Sequence, residues 1–309
     1  MAIYLSDEDV RQLLTTADCV DVLDDLFRQE ADGLVQNLPR QRNRHGRAST
    51  TLMGGSVLGS HAYGVRHSSL SLLWDTETGR LEAAIQPGAL AWIRTGAASG
   101  LATKYMAREA AATVGIIGTG RQAVTQLEGV CAVRPIKLVR VFSRTAENRE
   151  RFAAEMQALL GVEVVPVGTT EECLGGADIV ITITNAREPV FDGKLLEPGM
   201  HVNAAGANSD TRRELDDTAV RRADLITVDN VEQARMECGE LIAAVAQGSF
   251  DWERAIPLHA VVSGKVKGRP SEQAVTLFES QGIGIEDVAG YAYVLRKARE
   301  QGLGQELPF

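Results

Sequence analysis

Beyond Ala112, short apolar segments alternate with segments of helical periodicity, and this order constrains the fold more than any other feature of the sequence. The apolar segments have the length of strands, and the segments between them have the length of helices. Such alternation predicts a parallel sheet with helices on both faces. The predicted strands are Thr113–Ile117, Lys137–Phe142, Val162–Val167, Ile179–Thr184, Met200–Ala205, Leu225–Val228 and, last, Ala274–Phe278.

A glycine-rich turn follows the first of these strands. Residues 118–123 have the spacing G-x-G-x-x-A, and the helical pattern begins within them. At this spacing the first glycine permits a tight turn, the second lets the backbone approach a pyrophosphate, and the small third residue lets helix and strand pack closely. The helix N-terminus also attracts the anion. The turn predicts a dinucleotide site that includes Gly118, Thr119, Gly120, Arg121 and Gln122.

The residues after the second predicted strand indicate which dinucleotide is bound. In NAD sites this strand usually ends in a carboxylate that binds the adenosine ribose, whereas a nearby arginine accommodates the 2′-phosphate of NADP. Here the strand is followed by Ser143, Arg144 and Thr145. The sequence therefore favours NADP as the cofactor, with NAD as the alternative. Arg144 also has a second interpretation, as a solvated surface residue that stacks on adenine.

Length, charge and composition limit the class of protein. A chain of 309 residues is long enough for two domains. A net charge of −9 argues against nucleic acid or an anionic membrane as the main partner, because both need a dominant basic field. The N-terminus is acidic where a signal peptide is basic and apolar, and no run of about 18 apolar residues occurs. We expect a cytoplasmic protein.

The four cysteines and five histidines form no recognisable metal or disulfide pattern, since C-x-x-C pairs and histidines four positions apart are both missing from the sequence. We therefore expect no metal. The sequence also lacks the G-x-S-x-G motif of serine hydrolases. Glu237 and Glu240, on either side of Gly239, are interpreted as a solvated loop or the edge of a cleft.

The N-terminal third has a different pattern. Ser6 and Asp9 resemble a capping box, which predicts that the chain begins with a helix. Residues 40–71 mix β-branched residues, glycines and basic residues, which indicates strands and loops. The turn at Asp75–Gly79 separates two short apolar runs and predicts a hairpin. Thr95–Met106 is a helical segment of small residues that suits close packing.

Six motifs carry a resemblance over nearly the whole chain. They are Leu38-Pro39-Arg40, Trp74-Asp75-Thr76-Glu77-Thr78-Gly79, Ile93-Arg94-Thr95-Gly96-Ala97-Ala98-Ser99, the Gly118 turn with Gln122, Pro198-Gly199-Met200-His201-Val202-Asn203-Ala204 and Leu277-Phe278-Glu279-Ser280-Gln281-Gly282. With these motifs the chain resembles the ornithine cyclodeaminase/mu-crystallin family, which also includes alanine dehydrogenases and ketimine or pyrroline-carboxylate reductases.

The resemblance implies an α/β architecture of two domains. A Rossmann domain with a doubly wound parallel sheet is expected at residues 112–282. A smaller, discontinuous α+β domain is expected at residues 1–111 and 283–309, where a final amphipathic helix near Ile285 returns to the N-terminal region. By the same resemblance this smaller domain binds substrate and forms a homodimer, and the cleft between the domains holds the nicotinamide.

The resemblance also implies roles for individual residues. Arg40 and Arg94 match the family arginines that bind the substrate carboxylate. Arg94 immediately precedes the helix of small residues, whose N-terminal dipole adds to the attraction for an anion. A structural ion pair is the alternative for both arginines. The remaining predicted coenzyme contacts are Thr184, Ala205, Gly206 and Gly282.

Two positions depart from the family pattern. Where the family commonly has a lysine that contacts substrate, this chain has Arg66 and then His67. Arg66 can bind a carboxylate but is a poor proton donor, whereas His67 can carry a proton. Adjacent strand residues point to opposite faces, so only one of the two is expected to reach substrate. Asn208 stands where ornithine cyclodeaminases have an aspartate, and an amide is neither acid nor base at neutral pH.

These features favour an NAD(P)H-dependent oxidoreductase that reduces a small 2-imino acid (ketimine), or a 2-oxo acid with an amine, to an amino acid. Arg40, Arg66 and Arg94 are predicted to orient the substrate carboxylate, and Arg66, His67 and Asn208 are the candidate catalytic residues. Ornithine cyclodeaminase, a lyase, is the second interpretation. A dinucleotide-dependent binding protein without catalysis, as mu-crystallin relatives suggest, is the third.

Overall fold

A computed structural model describes residues 1–46 and 48–308 of the chain. The chain forms two compact units, here named the first unit (Met1–Arg94 with Gly282–Phe309) and the second unit (Thr95–Gln281). Among the described residues, none of the helices combines the length and apolarity that crossing a bilayer requires.

Strands and helices follow one another along the whole chain. The N-terminal elements are β1 (Ile3–Leu5), α1 (Asp7–Leu13), α2 (Thr16–Ala31), β2 (Val35–His45), β3 (Ala48–Val57), β4 (Ala62–His67), β5 (Ser71–Asp75), β6 (Leu81–Ile85) and α3 (Gly88–Met106). The middle elements are β7 (Thr113–Ile117), α4 (Arg121–Val133), β8 (Leu138–Phe142), α5 (Ala146–Leu160), β9 (Glu163–Pro166), α6 (Thr170–Leu174), β10 (Ile179–Thr182), β11 (His201–Ala204), α7 (Asp217–Arg222), β12 (Leu225–Val228), α8 (Val231–Glu237), α9 (Gly239–Ala246), β13 (Ala255–Pro257), α10 (Leu258–Val262) and β14 (Thr276–Glu279). The C-terminal elements are α11 (Gly284–Gln301) and β15 (Gln305–Glu306).

The first unit is built on a mixed sheet of seven strands in the order β15-β1-β6-β5-β4-β3-β2. On its inner face, Met53, Val57 and Leu73 are buried, and α11 packs there with α2 beside it. The predicted return of the final helix to the N-terminal region is therefore confirmed, and the hydroxyl of Ser71 donates a hydrogen bond to that of Tyr291 in α11 at 2.8 Å. The predicted capping box at Ser6 is also present, but the prediction that the chain begins with a helix is wrong, because β1 precedes α1 and pairs with β6.

The second unit is built on eight parallel strands in the order β13-β12-β14-β11-β10-β7-β8-β9. The strand order reverses at β7, because the chain runs outward through β8 and β9 and then returns to β10 on the other side. Helices cover both faces, with Leu127 and Phe152 buried on one face and Val220 and Leu241 on the other. The predicted α/β fold with a doubly wound sheet is confirmed. The short strand β13 was not predicted.

The division between the units differs from the predicted boundary at residues 111 and 112, since it falls inside α3, between Arg94 and Thr95. The physical reason is the packing of α3 on α4. A Cβ on Gly96 would lie only 2.0 Å from the carbonyl oxygen of Thr125, so the two helix backbones touch. The close packing expected for the small residues of this helix thus joins residues 95–111 to the parallel sheet.

Candidate active site

The glycine-rich turn lies between β7 and α4, where the strand order of the second unit reverses. Gly118 has a φ of +118°, and a Cβ there would lie 2.3 Å from the carbonyl oxygen of Ile183, so only glycine fits. Gly120 is the N-cap of α4, and no other part of the described chain comes within 4 Å of where its Cβ would be. The space beside Gly120 is therefore clear, as the close approach of a pyrophosphate to this helix start requires. Of the other predicted contacts, Thr119 and Gln122 are half-buried and Arg121 is exposed.

The segment between β8 and α5 carries Arg144 and no carboxylate, and a second arginine follows in α5. Arg144 and Thr145 are exposed, and the Ser143 hydroxyl donates to the carbonyl oxygen of Thr145 at 3.1 Å. Arg149, in α5, donates from Nη1 to the carbonyl oxygen of Ser143 at 3.0 Å. Arg144 thus belongs to the segment that binds the adenosine ribose in dinucleotide sites, and Arg149 contacts that segment from α5.

The segments that follow β10 and β11 are joined by a buried carboxylate. The N–H of Thr184 donates to Oε1 of Glu214 at 2.6 Å, and the N–H of Gly206 donates to Oε2 at 2.8 Å. Burial raises the pKa of Glu214, and its hydrogen bonds with Thr184 and Gly206 oppose that rise. A Cβ on Gly206 would lie 2.4 Å from the Thr184 carbonyl oxygen. Thr184, Ala205 and Gly206 thus meet at the carboxyl ends of adjacent strands.

Arg94 is buried against the first turn of α11. It lies inside α3, which begins at Gly88, so the expectation that it precedes a helix N-terminus is wrong. Its Nη1 lies 3.1 Å from Oε2 of Glu286, and its Nε lies 3.4 Å from Oδ1 of Asp287. Nη1 of Arg66 lies 3.4 Å from the other oxygen of Asp287. The Arg94 side chain is 6% exposed and that of Arg66 is 22% exposed. Asp287 therefore orients two guanidinium groups at once.

Arg40 lies near Arg94 because of a bulge in β2. The pairing of β2 with β3 shifts register between Leu38 and Gln41, which re-aims the residues between them. Nη2 of Arg40 donates to the carbonyl oxygen of Gly282 at 2.6 Å. Gly282 has a φ of +72°, and a Cβ there would lie 2.2 Å from Nη1 of Arg94. Gly282 thus adjoins both Arg40 and Arg94.

Arg40, Arg66, Arg94, Glu286 and Asp287 are named the arginine cluster. It brings three guanidinium groups together beside two carboxylates in the first unit. A planar guanidinium can bind a carboxylate with two parallel hydrogen bonds. The arginine cluster is therefore suited to a ligand that has a carboxylate.

His67 lies on the opposite face of the sheet from Arg66. The register of β3 and β4 pairs Arg66 with Met53 on the inner face and His67 with Leu52 on the outer face. Nδ1 of His67 is 3.1 Å from the hydroxyl of Ser69. The structure therefore brings Arg66, and not His67, to the arginine cluster. The predicted catalytic role of His67 gains no support from this geometry.

Asn208 lies in the segment after β11 and is half-buried. It stands two residues beyond Gly206, whose N–H is bound by Glu214. Its predicted role therefore concerns the same carboxyl end of the parallel sheet as the predicted coenzyme contacts.

The interpretation of Glu237 and Glu240 as a solvated loop or cleft edge is wrong, because they are only 4% and 0% exposed. Glu240 accepts a hydrogen bond from the N–H of Glu214 at 2.6 Å. The Sγ of Cys238 and carboxylate oxygens of Glu240 and Glu279 lie within 4.8 Å of one another. Burial raises the pKa of Glu240 to about 7, and burial with repulsion from Glu240 raises that of Glu279 well above its usual range. Carboxyl groups this close in a core retain protons.

Four of these residues were missed in the sequence, namely Arg149, Glu214, Glu286 and Asp287. A signal exists for the last two, because they interrupt the apolar pattern of the final helix directly after Ile285. Arg149 and Glu214 occur in charged stretches that look like ordinary surface.

Comparisons with known proteins agree with the geometry of both units. A sequence model of the ornithine cyclodeaminase/mu-crystallin family matches residues 2–302. A Delta(1)-pyrroline-2-carboxylate reductase of Bacillus cereus is 37% identical over 246 residues, which are 78% of this chain and 74% of that protein.

Solved structures cover the whole chain. That of Thermococcus litoralis Delta(1)-pyrroline-2-carboxylate reductase in complex with NADH and L-proline has a TM-score of 0.94 at 32% identity, and covers 99% of this chain and 100% of that one. An archaeal alanine dehydrogenase dimer with bound NAD has a TM-score of 0.92 at 28% identity, and covers 100% of this chain and 99% of that one. The resemblance carried by the motifs is thus confirmed, and the chain belongs to the ornithine cyclodeaminase/mu-crystallin family.

Proposed function

We propose that this protein is an NAD(P)H-dependent oxidoreductase that reduces the C=N bond of a small 2-imino acid and so forms an amino acid. A 2-oxo acid with an amine is an equivalent substrate, because the two condense to an imine. The observation that carries the proposal is the arginine cluster, in which the three arginines predicted to orient the substrate carboxylate lie together. The pyrroline-2-carboxylate reductases among its relatives support the same substrate class, since their substrate has a carboxylate on the imine carbon.

The residues of this chain do the binding and the orienting. The Gly118 turn and the segments at Ser143 and Gly206 are suited to a dinucleotide, which supplies the hydride when bound. Arg94 is held by two carboxylates and so offers a rigid guanidinium to the substrate carboxylate. Fixing that carboxylate also fixes the adjacent imine carbon, and orientation of this kind contributes strongly to rate. Arg66 and Asn208 are assigned the positioning of substrate rather than proton exchange, because a guanidinium and an amide are poor proton donors and acceptors.

A coenzyme-oxidation assay tests this function. The purified chain is given cyclic 2-imino acids, and 2-oxo acids with amines, together with NADH or NADPH. We expect oxidation of the reduced coenzyme and formation of the matching amino acid. A cyclic imine without the carboxylate is the matched control and should not be reduced. Coenzyme binding without consumption on every substrate would instead favour the non-catalytic binding protein.

For the coenzyme, we propose that NADP is preferred over NAD, because Ser143 and Arg144 stand where a carboxylate binds the adenosine ribose in NAD sites, and Arg149 contacts this segment from α5. NADPH should bind more tightly than NADH. Arg144→Ala should reduce that preference by about 1–3 kcal/mol, the range for a hydrogen bond to a charged group. Calorimetric dissociation constants for both coenzymes measure this. Arg151→Ala is the control, because Arg151 is an exposed arginine of α5. Equal or tighter binding of NADH than of NADPH to the native chain would contradict the assignment of NADP.

We also propose a homodimer formed through the outer face of the first unit's sheet. Leu38 and Leu52 are 50% and 43% exposed there, and the stacked rings of Tyr63 and Trp74 extend the same face. Clustered exposed apolar side chains of this kind mark interfaces. Sedimentation should give twice the chain mass of 33.2 kDa, and Leu52→Glu should give the monomer. Leu159→Glu, at an exposed leucine of the second unit, should leave the dimer intact, and a monomeric native chain would disprove the proposal.

A further inference from the structure

We propose that Glu214 is a positioning residue for the nicotinamide half of the coenzyme. Its carboxylate holds the segments after β10 and β11 at the spacing that this half requires. The inference rests on the proposed function, because it presumes that a dinucleotide binds at the carboxyl ends of these strands.

Glu214 accepts hydrogen bonds from the two segments just beyond the end of the backbone pairing between β10 and β11. The last ladder bond between β10 and β11 runs from the N–H of Ala205 to the carbonyl oxygen of Thr182 at 2.9 Å. Beyond it, the N–H groups of Thr184 and Gly206 both turn to the same carboxylate, one to each oxygen. A single side chain thus replaces the backbone pairing at the point where the two segments would separate.

Glu214 is itself held in position by the residues around it. Glu214 is fully buried, so its hydrogen bonds do not compete with bulk water. Its own N–H donates to Oε1 of Glu240, which is equally buried at the start of α9. The position of Glu214 is therefore set from the core of the second unit.

The segments at Thr184 and Gly206 are so close that no side chain fits between them. A Cβ on Gly206 would lie 2.4 Å from the carbonyl oxygen of Thr184 and 2.6 Å from Oε1 of Glu214. In a doubly wound sheet the two halves of a dinucleotide lie on either side of the point where the strand order reverses. The adenosine half belongs to the β8 side, with Ser143 and Arg144, so the segments that Glu214 joins fall to the nicotinamide half.

The test compares whole and truncated coenzyme on Glu214→Gln. An amide offers one acceptor oxygen where two N–H groups need acceptors, and its NH2 group would face a donor. We expect the Kd of NADPH to rise at least about tenfold, the factor that corresponds to one net hydrogen bond. The Kd of 2′-phospho-ADP-ribose, which lacks the nicotinamide, should stay within about twofold of the native value. Titration calorimetry gives both constants without turnover.

Glu279→Gln is the matched control, because Glu279 is equally buried nearby but does not bond to either segment, and both Kd values should stay native. Equal weakening of the two ligands by Glu214→Gln, or no weakening, would overturn the inference. If Glu214→Gln does not fold, Gly206→Ala is the test variant. Its methyl group must push the two segments apart, so it should weaken NADPH binding and leave the binding of 2′-phospho-ADP-ribose unchanged. Unchanged NADPH binding by Gly206→Ala also overturns the inference. A native chain that binds neither ligand refutes the proposed function and this inference with it.

Discussion

Arg94→Ala is expected to lower kcat/KM for the 2-imino acid by at least about a hundredfold, because a substrate that is no longer held by its carboxylate loses orientation as well as binding. Coenzyme affinity should stay native, since the predicted dinucleotide contacts other than Gly282 lie in the second unit. The variant should also be less stable by about 3–5 kcal/mol, because Glu286 and Asp287 are left buried with one cation fewer. Steady-state kinetics, calorimetry with NADPH and chemical denaturation measure the three effects.

Two further variants separate binding from folding. Arg94→Lys keeps the charge but loses the planar fork, so it should recover part of the stability and little of the catalytic efficiency. Arg296→Ala removes an exposed arginine of α11 that pairs with Glu300, and it should change neither quantity appreciably. If kcat/KM of Arg94→Ala equals that of the native enzyme, Arg94 is a structural residue only.

Conversion of ornithine to proline is expected to be negligible, in contrast to the reduction of cyclic or acyclic 2-imino acids. Asn208 stands where the lyase needs a carboxylate that exchanges protons, and an amide can bind an amine but cannot take its proton. Proline and ammonia are measured from ornithine with catalytic NAD(P). Asn208→Asp should raise this activity if the chain is otherwise a competent cyclodeaminase.

One result of the ornithine assay would contradict this prediction. Native turnover of ornithine near or above about 1 per second, the low end of common enzyme rates, would show that Asn208 does not have the assigned role. The lyase would then be the better assignment. Asn208→Asp should leave reduction of the 2-imino acid measurable, which shows that the variant is folded.

Local patterns were sufficient to predict the parallel sheet and the Gly118 turn. Each of those strands is a short apolar run with its own flanking signals, and the turn needs glycine for reasons of φ and close approach that act within a few residues. Arg40 and Arg94 were found because they stand in family motifs, and Arg66 because it stands where the family commonly has a lysine.

The partners of these arginines could not be found in the same way. Glu286 and Asp287 are far from Arg94 in the sequence, so their ion pairs depend on how α11 packs on the sheet. Glu240 was misjudged because carboxylates are usually exposed, and the hydrogen bond that makes its burial tolerable comes from Glu214. The boundary between the two units has no break in the sequence to mark it, since α3 continues across it as one helix.

The buried carboxyl groups at Glu240 and Glu279 make folding a proton-uptake reaction. An unfolded glutamate has a pKa near 4.5, whereas burial raises the pKa of Glu240 to about 7 in the folded chain, and that of Glu279 rises in the same direction. Between these values the folded chain binds more protons than the unfolded chain, so the free energy of unfolding from these groups falls as pH rises from about 4.5 through 7. Chemical denaturation at several pH values in this range should show that the free energy of unfolding falls less steeply with pH for Glu279→Gln than for the native chain. An identical fall in both would mean that Glu279 does not contribute to this pH dependence. The contribution of these two carboxyl groups to stability is therefore largest on the acidic side of neutrality.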